Sequence, residues 1–289
     1  MQRGKTILQK YLNLVSTLTF MMNSEEKRPV KLIIAWDGVG IPFKWVQFDA
    51  IPQFDFVLFN FSDNNAIPAT TENPYQYSEL LNIRTEFKGS ILKETYHYFK
   101  DQHEIDFIGF IDDDIQISVA SINQLIETAY EHSLDAFQAA VHPDSFYSHS
   151  YNVLDVAKTI QYVHWVEIMM PFYRKQLFDA ADIFYEDCIS SYGIDNYAMP
   201  YFQKVLGLNK VAVIHSVSMK HLRAVTDGSK VFSNGLTARQ EGEKIRDEVL
   251  SMIKANYADL FSKRYLKEVY GVGTFRWEAW KYKLKEFFK

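Results

Sequence analysis

Phe107–Ser118 reads F-I-G-F-I-D-D-D-I-Q-I-S, five mostly apolar residues running into three consecutive aspartates. A short apolar run bounded by polar residues fits a buried strand better than a helix. Side chains alternate faces along a strand, so the pattern places Asp112 and Asp114 on one side and Asp113 on the other. Carboxylates crowded at a strand end repel one another unless a cation sits between them. Hard oxygen ligands of this kind suit Mg²⁺ or Mn²⁺. The competing reading is an acidic helix start, since carboxylates also favour helix N-termini.

The rest of the chain is long enough to bury a core around this strand. Its 289 residues fit one large domain or a domain with appendages. Hydrophobic residues make up 47% and charged residues 23%, ordinary for a globular protein. The 22 Phe, 18 Tyr and 5 Trp either fill that core or line a cleft where sugar C–H faces pack on rings. A net charge of −5 without a recognition motif argues against nucleic acid as a partner. The single cysteine, Cys188, excludes an intrachain disulfide framework and a multi-cysteine zinc site, and it fits a cytoplasmic setting. No apolar run reaches bilayer-spanning length. Tyr11–Met22 is short and lacks a small-residue cleavage pattern, so it is not read as a signal peptide.

In chain order, residues 1–27 predict a helical extension with Leu8, Tyr11, Leu12, Val15 and Leu18 on one stripe. Lys31–Trp36 is the first core strand, ending in the turn Asp37-Gly38-Val39-Gly40. Ligands of doubly wound sheets bind beyond the strands' carboxyl ends, which places Trp36 and Asp37 beside any nucleotide. Phe54–Phe61 is a second strand, closed by Ser62-Asp63-Asn64-Asn65. Thr85–Phe99 is a helix with Lys88-Gly89 at its start, where backbone N–H groups and a cation could meet a phosphate. Ser118–His132 is an amphipathic helix capped by Ser118 or Ser121, and Asp135–Val141 is a strand. Ile160–Tyr173 reads as one strand crossing the sheet, with His164 and Glu167 embedded in it. A buried glutamate needs a partner, so Glu167 is paired with a basic group or belongs to a site.

Asp195, in Gly193-Ile194-Asp195, is either the N-cap of the helix Tyr197–Leu206 or an acid facing a cleft. Lys210–His215 is a strand, and His221 follows it in H-L-R. Thr226–Asn234 is a loop, and Ala238–Ala255 and Leu260–Val269 are helices. The expected division is an N-terminal extension over 1–27, a catalytic domain over 28–233 and a helical extension over 234–289.

From Lys31 to Arg223 the order is strand–turn, strand–Ser-Asp, Lys-Gly helix, Asp-Asp-Asp, Gly-Ile-Asp and His. This order resembles the bacterial-type, D-x-D nucleotide-sugar glycosyltransferases of the GT-A fold. The resemblance implies an α/β, Rossmann-like mixed sheet flanked by helices, with a helical C-terminal extension. It implies a divalent cation held by Asp112 and Asp114, with His221 as the third protein ligand; imidazole favours Mn²⁺ over Mg²⁺. Trp36, Asp37, Asp63, Lys88 and Asp113 fall on the side of a nucleoside-diphosphate sugar donor. Asp195 falls on the side of a glycan or lipid-linked acceptor, as in polysaccharide biosynthesis. It would be the base of an inverting reaction or would position the acceptor in a retaining one. The triple aspartate leaves open which pair binds metal, and the N-terminal extension is a further departure from the simple pattern. Two other functions fit an acid cluster at a strand end. A metal-dependent phosphotransferase or phosphohydrolase would want a second aspartate after Asp37-Gly38-Val39. A non-catalytic sugar-binding protein would keep the fold without turnover.

Thr274–Lys289, T-F-R-W-E-A-W-K-Y-K-L-K-E-F-F-K, sets Trp277, Trp280, Leu284, Phe287 and Phe288 on one helical face. Lysines and Arg276 surround it. Such a helix either docks on the protein's own core or a second subunit, or lies peripherally at the inner face of a membrane.

Overall fold

Alternation along the first strand sets the layers. In β1 (Val30–Trp36), Val30, Leu32, Ile34 and Trp36 enter one buried cluster and Ile33 enters another. The computed structural model describes residues 29–39, 42–62, 78–224 and 228–272. The 1–27 extension, Asp63 and the 274–289 helix lie outside the described residues.

After β1 come β2 (Val46–Gln47), β3 (Asp55–Asn60) and β4 (Glu79–Asn82), then helix α1 (Lys88–Phe99). The acidic stretch follows as β5 (Phe107–Ile111) and β6 (Ile115–Ser118), leading into α2 (Val119–Glu131). Next are β7 (Ala136–Val141), β8 (Ile160–Tyr162), β9 (Phe172–Arg174) and α3 (Lys175–Ala180). The chain closes with α4 (Met199–Leu206), β10 (Val211–His221), α5 (Ala238–Asn256) and α6 (Lys263–Tyr270). The strands form one mixed sheet in the order β2-β6-β10-β7-β9-β5-β1-β3-β4, with β8 on β10. β5, β1, β3 and β4 are parallel, so their carboxyl ends share one edge. This is the α/β mixed sheet expected.

Ile122, Leu125, Ile126 and Ala129 of α2 cover one face of the sheet. Ile91, Leu92 and Phe99 of α1 share the other face with Ile245, Val249 and Ile253 of α5. Ser118 caps its helix as expected, and a second cap, not anticipated, closes the start of α5. Ser118 accepts from the Ser121 N–H at 3.2 Å, and Thr237 with Gln240 forms a capping box on α5.

Two strand boundaries differ from expectation. Residues 160–173 are not one strand. β8 pairs with β10, β9 lies between β5 and β7, and the intervening loop carries Glu167. The Glu167 N–H donates to the Gln138 side chain rather than to a neighbouring strand, and Pro171 has no N–H to offer, so the ladder is interrupted there. Conversely, the strand predicted to stop at His215 runs to His221, with a register shift between Ile214 and Ser218.

Candidate functional site

The acid triplet does not keep the strand alternation. β5 ends at Ile111, and the Ile115 N–H donates back to the Asp112 carbonyl at 3.2 Å, turning the chain over Asp113 and Asp114. Both of those carboxylates therefore reach the same cation. Arg223 Nε donates to Asp114 Oδ2 at 2.7 Å, and its Nη2 pairs with Asp113. Lys88 Nζ pairs with Asp112.

Sheet topology supplies His221. β10 runs antiparallel to β6 with His221 opposite Ile115, and the Leu222 N–H donates to the Asp114 carbonyl at 3.0 Å. His221 Nε2 then lies 3.3 Å from Asp114 Oδ2, while Nδ1 lies 3.1 Å from the Phe146 carbonyl. Burial would raise the Asp114 pKa, but hydrogen bonds from His221 and Arg223 outweigh it and hold this carboxyl below its ordinary value. Burial likewise disfavours the His221 imidazolium, and Asp114 outweighs it, so His221 titrates above its ordinary value. His215 sits elsewhere: its Nδ1 accepts from the Asp155 N–H at 3.1 Å.

The triplet forms a wall shared by two clefts. One, of about 590 Å³, is lined by Trp36, Asp37, Lys44 and Trp45. The other, of about 540 Å³, is lined by Lys88, His149, Glu167, Asp195 and His221. Asp112, Asp113, Asp114 and Arg223 line both. A ligand lying across them would carry its middle past the acids. In the first cleft, the Trp36 ring is 4% exposed and its Nε1 donates to the Val39 carbonyl at 3.1 Å. Asp37 is exposed and accepts from the Val39 N–H at 2.9 Å.

In the second cleft, Lys88 offers charge rather than a helix end. The Gly89 N–H donates to the Ile189 carbonyl at 2.8 Å, and those of Ser90 and Ile91 turn back to the Phe87 carbonyl. These N–H groups are already satisfied, which corrects the expectation that the start of α1 meets a phosphate through its backbone. The approach is close: a Cβ on Gly89 would fall 2.0 Å from the Cys188 carbonyl oxygen. Glu241 of α5 fixes that loop from behind. It is 2% exposed and accepts from the Ser190 N–H at 2.8 Å and the Ile189 N–H at 3.2 Å.

Asp195 lies in a π-helical turn, Ile194–Ala198. Gly193 before it has φ 91°, and a Cβ there would also meet the Gly242 Cα at 2.9 Å. Gly193 is the cap, so Asp195 is not. Its carboxylate instead reaches across to the Ile168 N–H at 3.2 Å and accepts the Asn196 N–H at 2.8 Å. Desolvation pushes Asp195 up to about 6 despite these donors. Glu167, on the loop Asp195 grips, is 4% exposed, and neither carboxylate oxygen has a hydrogen-bond partner among the described residues. Burial and the charge of Asp195 push it up to about 7. His149 Nε2 is its basic neighbour, at 3.7 Å.

The structure thus brings Asp112, Asp113, Asp114, His221, Lys88 and Asp195 around one wall, with Trp36 and Asp37 in the adjoining cleft. Sequence reasoning missed Arg223, His149 and Glu241. Arg223 was within reach of a simple rule, because a residue two beyond His221 on an extended chain shares its side. Among the described residues, no group of three His, Cys, Asp or Glu side chains is placed to hold a metal as it stands. The donor types nevertheless suit a divalent cation. They are carboxylates and an imidazole whose Nδ1 faces a backbone carbonyl, the usual orientation of a metal-binding histidine.

No protein-family model matches the sequence, and no curated protein matches it. The fold matches S. aureus TarS. TarS 1–349 in complex with UDP-GlcNAc superposes with a TM-score of 0.54 at 13% identity, over 83% of this chain and 70% of that one. The same fragment with UDP gives 0.52 at 13% identity, over 83% and 69%. A longer TarS structure gives 0.54 at 14% identity, over 83% of this chain but 42% of that one. At these identities the likeness is one of fold.

Proposed function

We propose that this chain is a metal-dependent glycosyltransferase that moves a sugar from a nucleoside-diphosphate sugar to a hydroxyl of a glycan or lipid-linked acceptor. The observation that carries the reading is the shared acidic wall, with a raised-pKa carboxyl, Asp195, in one of the two clefts it separates. The fold neighbour TarS holds UDP-GlcNAc, which supports a nucleotide sugar as the donor.

In this reading the nucleoside lies in the Trp36–Asp37 cleft and the diphosphate crosses the wall. Asp112, Asp114 and His221 would hold Mn²⁺ or Mg²⁺, which offsets the charge that develops on the leaving diphosphate. Lys88 and Arg223 add positive charge on either side, and Asp113 completes the donor's surroundings. Asp195 accepts the acceptor's proton if configuration inverts. A pKa of about 6 keeps it ionised at neutral pH yet basic enough to take a proton. The Ile168 and Asn196 N–H groups hold its carboxylate in place.

The test is a panel of nucleotide sugars incubated with acceptor glycans and Mn²⁺, comparing the wild type with Asp195→Asn. Transfer should fall by about 10²- to 10⁴-fold in the variant, the usual worth of a general base, with donor affinity kept. Loss of donor affinity with turnover unchanged would move Asp195 to the donor side and overturn its role as base.

A further inference from the structure

Arg223 and a divalent cation would compete for one oxygen. Arg223 Nε lies 2.7 Å from Asp114 Oδ2, the same atom that His221 Nε2 approaches at 3.3 Å. A divalent cation bound to that oxygen would repel the guanidinium at contact distance, so the two compete for it. The charges explain why the guanidinium is there. Asp112, Asp113 and Asp114 bring three carboxyls to one turn, and Lys88, Arg223 and His221 stand against them. Without Arg223, Asp113 and Asp114 would face each other with His221 as their nearest counter-charge.

The two partners differ in freedom. The Asp114 side chain is 9% exposed and anchored by strand pairing, whereas the Arg223 side chain is 60% exposed. Arginine is the part that can move. Its planar fork also matches phosphate as well as it matches carboxylate. Arg223 lines both clefts, so it stands beside the path of any ligand that spans the wall.

We propose that Arg223 is a stand-in cation, holding Asp113 and Asp114 in the donor-free protein and passing to the donor's diphosphate when a metal takes its place. The proposal rests on the donor and metal reading above and adds an exchange of partners to it. It has a thermodynamic consequence. Metal binding frees Arg223 for the diphosphate, and the diphosphate draws Arg223 off the metal's ligands, so each ligand tightens the other. Metal alone therefore binds against an internal competitor.

The experiment uses the full chain as wild type, Arg223→Gln and Arg223→Lys, with unfolding curves to confirm folding. Binding of Mn²⁺ alone is measured by calorimetry, and then binding of inorganic pyrophosphate at saturating Mn²⁺. Removing one charge-assisted pair should tighten Mn²⁺ by about tenfold in Arg223→Gln and weaken pyrophosphate by about tenfold. Arg223→Lys, which keeps the charge without the fork, should fall between. An arginine that merely supports the fold would not move the two affinities in opposite directions. If Arg223→Gln binds Mn²⁺ no more tightly than wild type while pyrophosphate weakens, the competition is refuted and the glycosyltransferase reading stands. If Mn²⁺ tightens and pyrophosphate is unchanged, the hand-over is refuted. If neither wild type nor variant binds Mn²⁺, with or without pyrophosphate, the metal reading falls and takes this proposal with it.

Discussion

Glu167→Gln should stabilise the protein above neutral pH and leave it nearly unchanged in acid. Glu167 is 4% exposed, neither carboxylate oxygen has a partner within hydrogen-bond geometry among the described residues, and burial lifts its pKa from 4.5 to about 7 although the Asn152 side chain nearby opposes the rise. Between these two values the unfolded chain has released the proton and the folded chain still holds it. Folded protein therefore binds more protons, and stability falls as pH rises, by about 1.4 kcal/mol per unit for one group. Across the window from 4.5 to about 7, that slope comes to about 3 kcal/mol. Above about 7 the loss is complete and constant. Glutamine keeps the shape and never ionises, so the variant lacks this slope. Urea unfolding of both proteins at pH 4.5, 6 and 8 measures it, with the variant's advantage growing from near zero to about 3 kcal/mol. Part of the shift comes from Asp195, so the advantage should shrink in an Asp195→Asn background. A difference between the two proteins that does not change with pH would refute the account, because it would mean that Glu167 folds in its charged form.

Gly89→Ala should destabilise by about 2 kcal/mol or more, although the same change inside an ordinary helix gains about 1 kcal/mol; a melting curve gives the sign. The new Cβ meets the Cys188 and Ile189 carbonyl oxygens at 2.0 and 2.7 Å, and backbone cannot swing aside. His221→Ala should weaken Mn²⁺ binding by about 10-fold or more, the typical worth of a ligand-shell contact, and His215→Ala should leave it unchanged. Calorimetric titration compares them, and the reverse order would move the ligand to His215. Truncation after Gly273 should abolish salt-sensitive co-sedimentation with anionic vesicles if Thr274–Lys289 is a membrane contact. Failure of the intact chain to bind such vesicles would leave the docked helix instead.

Locally periodic features were legible from sequence. Alternation in β1, the apolar stripe of α2 and the Ser118 cap each follow from neighbours within a few residues, which is the range over which sequence patterns report. The acid triplet was legible as chemistry but not as geometry. Its turn depends on the Ile115 N–H reaching the Asp112 carbonyl, and its partner Arg223 lies 110 positions from Asp113 along the chain. Antiparallel pairing of β10 with β6 makes that contact; alternation puts Arg223 on the side of His221 but says nothing of the acids that both meet. Glu167 stood out as an acid in an apolar run, yet the run itself was misread because two short strands in different parts of the sheet share one hydrophobic stretch. Asp195 could have been a cap or a cleft acid. The Ile168 N–H, brought from across the cleft by that same misread segment, decides it. Glu241 sits four residues before Ile245 on the apolar stripe of a helix otherwise dense with exposed charge, a spacing that could have marked it as buried, whereas its partners at 189 and 190 lie about 50 positions away and carry no local signal.

The cleft separates its carboxyls by their company. Asp114 has His221 and Arg223 against it and is held below its ordinary pKa, so it stays charged over the whole working range of pH. Asp195 is held by backbone N–H groups without a contacting cation among the described residues, and desolvation lifts it to about 6. Carboxyls whose environments drive their pKa values apart are suited to different tasks. A permanently charged acid suits the binding of a cation, and an acid near neutrality suits the acceptance of a proton. On the proposed reaction these are the two tasks on either side of the bond that breaks. The same logic orders their sensitivity to pH. Activity that depends on Asp195 should fall about tenfold per unit below about pH 6, whereas the affinity of the acidic wall for Mn²⁺ should begin to fall at higher pH, where His221, titrating above its ordinary value, takes up a proton that the metal must displace. Equal loss of both across the same pH interval would show that one titration governs the whole site, and the division of roles between Asp114 and Asp195 would then be wrong.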